Sequence, residues 1–296
     1  MYYTDQTIVY LNGSFSTVRE VSCSPFTQTL HYGNGVFEGI RAYNTSGGAR
    51  IFKPVEHFKR LQYSAKTMRL SLDYTTQEMI EATYQVLERN NLREAYIRPL
   101  VFADENMGLT VSGKALLFIA AWEWAKYLGD KLLRVGVSSY EGPNPKAFHI
   151  DAKISGHYVN SILATMEAKQ NGFDEALILD SDGFVAQGSG ANVFFEKDGT
   201  LFTPVKGHIL PGITRQTVLD LAKELGVKVT EVNCSLDDLK AADSAFFTGT
   251  AVEIAGIGSI DDQLFPMPFE QSIGYKLSSM YKDLVRVANP TVASVA

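Results

Sequence analysis

Apolar and polar positions along the first half of the chain follow two periods, one typical of strands and one typical of helices. Asn12-Gly13 interrupts an apolar run and is a dipeptide favoured in type I′ turns, which predicts a β-hairpin. Apolar residues three and four apart predict helices that begin near Pro54 and after Thr76. The remaining apolar runs are predicted strands, at Val36–Tyr43, Arg50–Phe52, Ala95–Phe102 and Ala115–Trp122. This half is therefore expected to be α+β.

The second half alternates strands and helices more regularly. A helix is predicted over Ile213–Leu225, with Gly226 after it as the expected stop. The other predicted elements are a helix at Val159–Lys169, which carries Ile162, Leu163 and Met166, and strands at Leu132–Ser138, Ala176–Leu179, Phe184–Ala186, Asn192–Phe195, Leu201–Thr203, Val227–Val232 and Ala245–Phe247. The pattern lapses between the halves. We therefore predict a small α+β domain over residues 1–124, an interdomain loop over 125–131 and a larger domain over 132–296.

Composition narrows the possible functions. The chain has 296 residues, of which 45% are hydrophobic and 20% charged, as in a globular protein with a sizeable core. No apolar run reaches the roughly 20 residues that a membrane helix needs, so no membrane association is expected. A net charge of −6 without a basic tract argues against nucleic acid as a partner. No two of the five histidines have the spacing of a helical metal motif, so no metal is expected.

The cysteines indicate the compartment. Cys23 and Cys234 are too few for a disulfide framework, and neither belongs to a C-x-x-C pair. The N-terminal residues also lack the basic and apolar regions of a signal peptide. We therefore expect a cytoplasmic protein.

Two short motifs offer hydrogen-bond donors to an anion. Pro211-Gly212-Ile213-Thr214 opens a predicted helix, whose first N–H groups have no partner within the helix. Thr248-Gly249-Thr250-Ala251 follows an apolar strand and adds N–H groups and hydroxyls. Ordinary capping or turn formation would explain either motif alone. Together they suggest a phosphate or carboxylate pocket, provided that the fold brings them together.

Lys153 is the candidate for covalent chemistry. It lies within Ala152-Lys153-Ile154, where apolar neighbours would strip water from the amine and prepare it to attack a carbonyl. A solvated surface lysine is the ordinary alternative. Sequence spacing alone does not decide between the two.

Several segments, taken in order along the chain, resemble the fold-type IV pyridoxal-phosphate enzymes, and specifically the branched-chain amino acid aminotransferases. They cover nearly the whole chain and are His31–Tyr43, Glu56–Leu61, Tyr96–Pro99, Lys153–Ser161, Leu210–Arg215 and Thr248–Ala251. The resemblance implies a mixed α/β, two-domain fold-type IV architecture of the D-amino acid aminotransferase-like kind. It also implies pyridoxal 5′-phosphate as the cofactor and a homo-oligomer that is at least a dimer.

The resemblance also implies which residues hold the cofactor. Lys153 would bind its aldehyde covalently and then carry a proton between the substrate Cα and the cofactor C4′. Tyr158 matches the residue that hydrogen-bonds the phenolic oxygen, and Leu210 matches the apolar residue under the pyridine ring. The residues that match the phosphate-binding set are Arg60, Ile213, Thr214 and Thr250.

The small-molecule substrates implied are an amino acid and a 2-oxo acid. Tyr96, Thr250 and Ala251 match the residues that bind the α-carboxylate. The matching candidates for the side-chain pocket are Tyr32, Phe37, Gly39, Leu109, Trp124 and Tyr127. Burial of apolar surface at ~25 cal/mol per Å² would favour leucine, isoleucine and valine in such a pocket, although core packing would also explain each aromatic residue.

Two arginines match positions that suit the second carboxylate of glutamate, which the amine donor requires. These are Arg41 and Arg98, and the alternative is that they pair with nearby acids and position a loop. The expected reaction is pyridoxal-phosphate-dependent transamination between a branched-chain L-amino acid and 2-oxoglutarate. Its products are a branched 2-oxo acid and L-glutamate.

One position departs from the family pattern. Where relatives have a glutamate that keeps the pyridine nitrogen protonated, this chain has Gln187, within Gln187-Gly188-Ser189-Gly190-Ala191-Asn192. A neutral amide can accept a hydrogen bond from a protonated nitrogen or donate one to a bare nitrogen. Neither holds a cation as a carboxylate would, so a weaker electron sink and a lower rate are expected.

Alternative functions remain within and outside this reaction. A D-amino acid transaminase or an aminodeoxychorismate lyase would have the same fold, but the block Val36–Arg41 resembles the branched-chain group more closely. Gln187 also raises the alternative of a protein that holds pyridoxal phosphate with little catalysis. A globular binder without any cofactor is the remaining hypothesis.

Overall fold

A computed structural model describes residues 2–111, 115–124 and 131–287 of the chain. The chain divides into two compact units, described separately below. Unit 1 comprises Met1–Trp124, Lys153–Gly156 and Asp283–Ala296, and unit 2 comprises Ala125–Ala152 and His157–Lys282. The interdomain loop predicted over 125–131 lies outside the described residues except for Lys131, so the predicted domain boundaries stay a prediction.

Unit 1 is built on an antiparallel sheet with helices packed against it. Its elements are β1 (Ile8–Leu11), β2 (Ser14–Thr17), α1 (Gln28–Tyr32), β3 (Val36–Phe37), β4 (Ile40–Thr45), β5 (Gly48–Ile51), α2 (Pro54–Thr67), α3 (Thr76–Arg89), β6 (Ala95–Ala103) and β7 (Ala115–Trp122). The described strands form a seven-stranded sheet in the order β2-β1-β7-β6-β4-β5, and β3 pairs with β6.

Local sequence explains most of these elements, and the predictions for them are confirmed. Asn12 and Gly13 have φ angles of 45° and 97°, as a type I′ turn between β1 and β2 requires. Pro54 occupies the first turn of α2, and Leu61 on the apolar face of this helix is fully buried. Thr75 caps α3 by accepting a hydrogen bond from the backbone of Glu78, in a capping box.

The single strand predicted over Val36–Tyr43 is wrong, because the strand breaks between β3 and β4. The break falls at Glu38 and Gly39, between the two observed strands. The Glu38 side chain turns into the interior, where it is fully buried. A Cβ atom at Gly39 would overlap the Tyr96 hydroxyl, so the chain passes here only with glycine.

The segment Lys153–Gly156 belongs to unit 1 although residues on both sides of it belong to unit 2. It runs antiparallel to residues 33–37, with a bridge between Val36 and Ile154. The backbone hydrogen bonds that attach it are Phe37 N–H to Lys153 O (3.1 Å), Ser155 N–H to Gly35 O (2.8 Å) and Gly156 N–H to Gly33 O (2.8 Å). Lys153 is therefore held by the part of unit 1 that leads into β3 and β4.

Unit 2 contains the larger sheet. Its elements are β8 (Leu133–Val137), α4 (Tyr158–Gln170), β9 (Glu175–Leu179), β10 (Val185–Gly188), β11 (Asn192–Lys197), β12 (Thr200–Pro204), α5 (Ile213–Glu224), β13 (Val229–Val232), α6 (Leu236–Lys240), β14 (Ser244–Gly249), β15 (Glu253–Ile260), β16 (Gln263–Leu264) and α7 (Ile273–Arg286), whose last residues are counted with unit 1. The described strands form a nine-stranded sheet in the order β10-β9-β8-β15-β14-β11-β12-β13, with β16 paired to β15.

The sheet of unit 2 is mixed. Strand β8 runs parallel to both β9 and β15, and β12 runs parallel to β13, while the other pairs are antiparallel. Fully buried side chains on its strands, among them Leu133, Val193 and Phe247, form the main hydrophobic cluster of this unit. Strand β11 pairs with β10 on one side and with β14 on the other, and these three strands carry Gln187, Asn192 and Thr248.

Helix α4 is confirmed, but its packing differs from the simple apolar stripe. Small residues, Ala164 and Ala168, face the sheet because the helix packs closely on Ala176 and Ile178. The large apolar side chains point outward within the described chain. They are Val159, Ile162, Leu163 and Met166, with exposed fractions of 60%, 56%, 39% and 53%.

Ala245–Phe247 is the last strand that the sequence pattern predicts, but β15 and β16 follow it and extend the sheet. Gly256 and Gly258 interrupt the apolar run of β15, which weakens the strand pattern. A Cβ atom at Gly256 would lie 2.7 Å from the Phe269 ring, so glycine allows a close approach here. None of the helices in the described ranges is both long and apolar enough to cross a bilayer.

We predict that Leu61→Ala lowers the free energy of unfolding by about 2–5 kcal/mol, since it leaves a cavity at a fully buried position. Urea denaturation followed by far-UV circular dichroism measures the loss. Val55→Ala, on the same helix but 42% exposed, is the matched control and should change stability little. Equal losses in the two variants would contradict the packing of α2 described above.

Candidate active site

Lys153 is fixed at both sides of its backbone. Its N–H donates to the hydroxyl of Ser64 on α2 at 3.0 Å, and its carbonyl accepts from Phe37 N at 3.1 Å. Its ammonium nitrogen lies 4.8 Å from the centre of the Phe37 ring, as in a cation–π contact. Lys153 is half-buried, and hydrogen bonds to its N–H and to its carbonyl fix the position of its backbone.

A buried carboxylate joins two side chains of α2. Glu38 is fully buried and accepts hydrogen bonds from Arg60 Nε at 2.6 Å and Arg60 Nη2 at 2.8 Å, a two-pronged arrangement. It also accepts from His57 Nδ1 at 2.7 Å. Because a carboxylate can only accept, the proton of the His57 ring lies on Nδ1. We call Glu38, His57 and Arg60 the carboxylate cluster.

The charge states of the carboxylate cluster follow from burial and from the partners. Burial alone would raise the pKa of Glu38, but Arg60 and His57 outweigh it and lower the pKa to about 2. Burial lowers the pKa of His57, against the opposing effect of the Glu38 carboxylate. The charges of Arg60 and Lys153 also lower the pKa of His57, so Lys153 interacts electrostatically with the carboxylate cluster.

Arg98 lies against two aromatic rings, and one of these rings also contacts Trp124. The Arg98 guanidinium carbon lies 4.6 Å from the centre of the Phe37 ring and 5.6 Å from that of Tyr96. Trp124 meets the Tyr96 ring edge-on at 4.6 Å between centres. Arg98 Nε is buried and has no hydrogen-bond partner among the described residues. Gly39 lies against the Tyr96 hydroxyl, so these candidates share one region of unit 1.

The other predicted residues of unit 1 are placed differently. Arg41 is 5% exposed and lies opposite Tyr96 in the pairing of β4 with β6. Tyr32 is exposed and donates its hydroxyl hydrogen to Met107 O at 3.1 Å, and Leu109 is 86% exposed. Tyr127 lies outside the described residues. The roles predicted for all of these residues stay predictions.

In unit 2, two side chains on adjacent strands clamp the Leu210 peptide. Leu210 N–H donates to Gln187 Oε1 at 3.1 Å, and Leu210 O accepts from Asn192 Nδ2 at 3.0 Å. Gln187 and Asn192 are paired directly across β10 and β11, so both side chains leave the sheet on the same face. The loop before α5 is therefore fixed to strands β10 and β11.

The clamp places the first turn of α5. A Cβ atom at Gly212, the residue that precedes the helix, would overlap Asn192 Oδ1, so glycine is needed for the loop to reach this sheet. No side chain caps the N-terminus of α5 within the described residues, and the helix begins at Ile213 and Thr214. These N–H groups, with the positive end of the helix dipole, suit an anion.

The second donor motif follows β14. Thr248, its last fully buried residue, lies opposite Asn192 in the pairing with β11, and its hydroxyl has no partner among the described residues. A Cβ atom at Gly249 would lie 3.3 Å from Gly190 O. Thr250 and Ala251 form the turn that comes next and are partly buried. Both donor motifs thus adjoin Asn192. This closeness is the condition under which they could form a single pocket.

The remaining cofactor candidate of unit 2 is Tyr158. It is partly buried and occupies the first position of α4.

The turn that leads into β10 is fixed by Asp180, whose Oδ1 accepts from Asp182 N and Phe184 N, both at 2.9 Å. That turn connects β9 to β10, the strand on which Gln187 lies.

Sequence reasoning missed the residues that hold the candidates in place. Glu38 was a detectable signal, since a charge inside the apolar block Val36–Ile40 must find a buried partner. His57 and Arg60 are three residues apart on one helix face, which fits a shared acceptor. Ser64 and Asn192 gave no such signal, because their partners are backbone groups far away in sequence.

Comparisons with known proteins agree on one family. The model of amino-transferase class IV matches residues 35–260. The branched-chain-amino-acid aminotransferase of Pseudomonas aeruginosa is 42% identical over 284 residues, which cover 94% of this chain and 92% of that protein.

Solved structures of similar enzymes match nearly the whole fold. The branched-chain aminotransferase of Thermoproteus uzoniensis with norvaline has a TM-score of 0.91 at 36% identity, covering 94% of each chain. A second branched-chain amino acid aminotransferase, complexed with N-(5′-phosphopyridoxyl)-L-glutamate, has a TM-score of 0.92 at 39% identity. That match covers 96% of this chain and 95% of the other, and we call this structure the phosphopyridoxyl-glutamate complex. Likeness at this level extends to the sheets that carry the site residues.

We predict that Glu38→Gln lowers the free energy of unfolding by about 3–5 kcal/mol, since it leaves Arg60 with an uncompensated charge in the interior. The folded pKa of about 2 lies below the ordinary value of 4.5. The stability that Glu38 supplies is therefore present above about pH 4.5 and is lost as the pH falls towards 2. Urea unfolding at several pH values measures both effects.

The exposed Glu88→Gln on α3 is the matched control and should keep the wild-type stability and its pH dependence. A Glu38→Gln protein with the same acid dependence as the wild type would contradict the charge state assigned to the carboxylate cluster.

Proposed function

The chain belongs to the class IV aminotransferases, and from this premise we propose that it transfers amino groups between branched-chain L-amino acids and 2-oxoglutarate, with pyridoxal 5′-phosphate as its cofactor. Named relatives along almost the whole chain support the branched-chain substrates. The structural observation that carries the proposal is the fixed backbone of Lys153, held by Ser64 and Phe37.

The donors present fit a phosphorylated pyridine cofactor. The uncapped N-terminus of α5 offers Ile213 and Thr214 to the phosphate, and the turn at Thr250 adds a hydroxyl. In unit 1, the resemblance to the family assigns Arg60 to the phosphate, and Glu38 fixes the orientation of its guanidinium. Leu210, clamped by its peptide, supplies an apolar surface for the ring. The related enzyme of the phosphopyridoxyl-glutamate complex binds a compound of this type, which supports the assignment.

The bound cofactor would accept the amino group of one substrate and draw electrons away from the substrate Cα. The residues of this chain do the rest. Lys153 would hold the cofactor until the substrate displaces it, and its free amine would then carry a proton between the substrate Cα and the cofactor C4′. Its fixed backbone would limit the positions open to that amine, which favours a local transfer over an encounter in solution. Tyr158 would donate to the phenolic oxygen.

Apolar amino acids suit the aromatic region of unit 1. Phe37, Tyr96 and Trp124 present ring faces and edges, which favour branched aliphatic side chains by removing them from water. The Tyr96 hydroxyl and the turn at Thr250 and Ala251 would take the α-carboxylate. The Thermoproteus uzoniensis relative with norvaline, an unbranched aliphatic amino acid, supports an apolar pocket.

The second substrate is assigned from Arg98. Its buried Nε lacks a partner among the residues that the structure describes, so a ligand carboxylate would satisfy it. The stack on Phe37 orients the guanidinium and keeps it out of bulk water. The glutamate portion of the ligand in the phosphopyridoxyl-glutamate complex supports 2-oxoglutarate and L-glutamate as the amine acceptor and its product.

Assembly and compartment complete the proposal. The exposed apolar side chains of α4, led by Val159 at 60% and Ile162 at 56%, suit burial against another copy of the chain, which supports at least a dimer. Cys23 and Cys234 are both free thiols, and such thiols persist in the reducing cytoplasm.

We predict that borohydride reduction of the holoenzyme, followed by digestion and mass spectrometry, places the cofactor adduct on Lys153. The absorbance of the holoenzyme should change with L-leucine and not with D-alanine. Lys153→Ala should lose both the adduct and the change, since the amine that forms the adduct is removed. Lys146→Ala, an exposed lysine, is the matched control and should retain both. An adduct on any other lysine would contradict the proposed function.

We predict that Arg98→Leu lowers kcat/KM for L-glutamate about 10- to 100-fold, since a hydrogen bond to a charged group contributes about 1.5–3 kcal/mol. L-leucine has no second carboxylate, so its half-reaction should change far less. Single-turnover kinetics with each amino acid measure the ratio. Arg93→Leu, an exposed arginine, is the control. Equal losses with both amino acids would contradict the proposal that Arg98 binds the second carboxylate of L-glutamate.

A further inference from the structure

We propose that Gln187 donates a hydrogen bond from its Nε2 group to the pyridine nitrogen and thereby holds that nitrogen unprotonated. This inference rests on the proposed function, because it needs pyridoxal phosphate in the site. It concerns the polarity of one contact, which the amino-acid sequence leaves open.

The direction of the Gln187 amide is fixed by its neighbour. Leu210 N–H can only donate, and its partner at 3.1 Å must therefore be the amide oxygen. With Oε1 turned to Leu210, the NH₂ group occupies the other end of the amide plane. No hydrogen-bond partner for Nε2 exists among residues 2–111, 115–124 and 131–287.

A reversed amide is excluded by the same clamp. Turning Gln187 over would set its NH₂ against Leu210 N–H, two donors facing each other. The peptide cannot move away to relieve this, because Leu210 O is held by Asn192 Nδ2 at 3.0 Å. Asn192 is itself in register with Gln187 across β10 and β11. The open end of Gln187 is therefore a donor.

A ring nitrogen that meets a donor must offer its lone pair. A pyridinium N–H would oppose the Gln187 NH₂ group, whereas a bare pyridine nitrogen accepts from it. Leu210, to which Gln187 is bonded, is the residue assigned to the face of the ring. The polarity of Gln187 thus selects the unprotonated ring, which draws electrons less strongly from the substrate Cα.

Glutamate at this position would reverse the polarity without disturbing the anchor. Gln187→Glu has nearly the same shape, and one carboxylate oxygen can still accept from Leu210 N–H. The other oxygen would then face the ring as an acceptor and favour a protonated nitrogen. The pair of proteins therefore differs in one outward-facing group.

The test uses holoenzyme reconstituted with pyridoxal 5′-phosphate labelled with ¹⁵N in the ring. We expect the ¹⁵N signal of the wild type at the position of an unprotonated, hydrogen-bonded pyridine, unchanged with pH across the stable range. Gln187→Glu should shift the signal far upfield and show a one-bond ¹⁵N–¹H splitting. Gln170→Glu, an exposed glutamine on α4, adds the same charge elsewhere and should match the wild type.

Kinetics supply the second readout. The single-turnover rate with L-leucine should rise about tenfold in Gln187→Glu, equivalent to about 1.4 kcal/mol in the barrier, and stay unchanged in Gln170→Glu. A pyridinium signal in the wild type overturns the inference. So does an unprotonated ring in Gln187→Glu, since the polarity would then not decide protonation.

Failure of this inference is distinguishable from failure of the proposed function. Borohydride reduction of the same labelled sample reports whether the cofactor is on Lys153. An adduct on Lys153 with a protonated ring overturns only the role of Gln187. The absence of an adduct on Lys153 overturns both, because Gln187 then has no ring nitrogen to meet.

Discussion

The structure of unit 1 depends on a carboxylate that is wholly removed from water. Glu38 can be charged in the interior only because Arg60 and His57 both donate to it, so burial of the acid requires α2 to lie against the break between β3 and β4. Ser64 on the same helix binds Lys153 N–H, and the Lys153 carbonyl binds Phe37, the neighbour of Glu38. The contacts close into a ring. The Lys153 amine and the Arg60 guanidinium, both proposed to bind the cofactor, are thus positioned by one helix.

Unit 2 positions its loop with neutral groups instead. Gln187 binds the N–H of Leu210 and Asn192 binds its carbonyl, so they connect the loop before α5 to strands β10 and β11. Each side-chain amide uses one polar end on the backbone and keeps another available. A loop held in this way fixes the position of the α5 N-terminus. Among the described residues, no side chain caps this helix end. Rigid placement of donors is what transition-state binding requires.

Local patterns were sufficient to predict most of the helices and strands, but not the contacts that hold the candidate site residues in place. Asn12-Gly13 and Pro54 fix their own turn and helix start, so neighbouring residues are enough to predict them. The break at Glu38 and Gly39 depends on Arg60 and Tyr96, which are distant in sequence. The apolar residues on both sides of the break predicted a continuous strand instead. Helix α4 has its large apolar residues outside because Ala164 and Ala168 allow a closer approach to the sheet. The polarity of Gln187 follows from a backbone hydrogen bond, which no composition or spacing reveals.

The return of Lys153–Gly156 to unit 1 has a consequence for how the chain is made. Its partners at residues 33–37 leave the ribosome more than a hundred residues earlier, and their carbonyls at Gly33 and Gly35 stay without these donors until synthesis has passed Gly156. Contacts so distant along the chain close late, because a long loop must first be ordered. A fragment that ends at Trp124 therefore lacks a strand-like piece of its own sheet edge. The proposed cofactor lysine is therefore synthesised well after the strands of the sheet that hold it, and before the C-terminal piece of unit 1 at Asp283–Ala296.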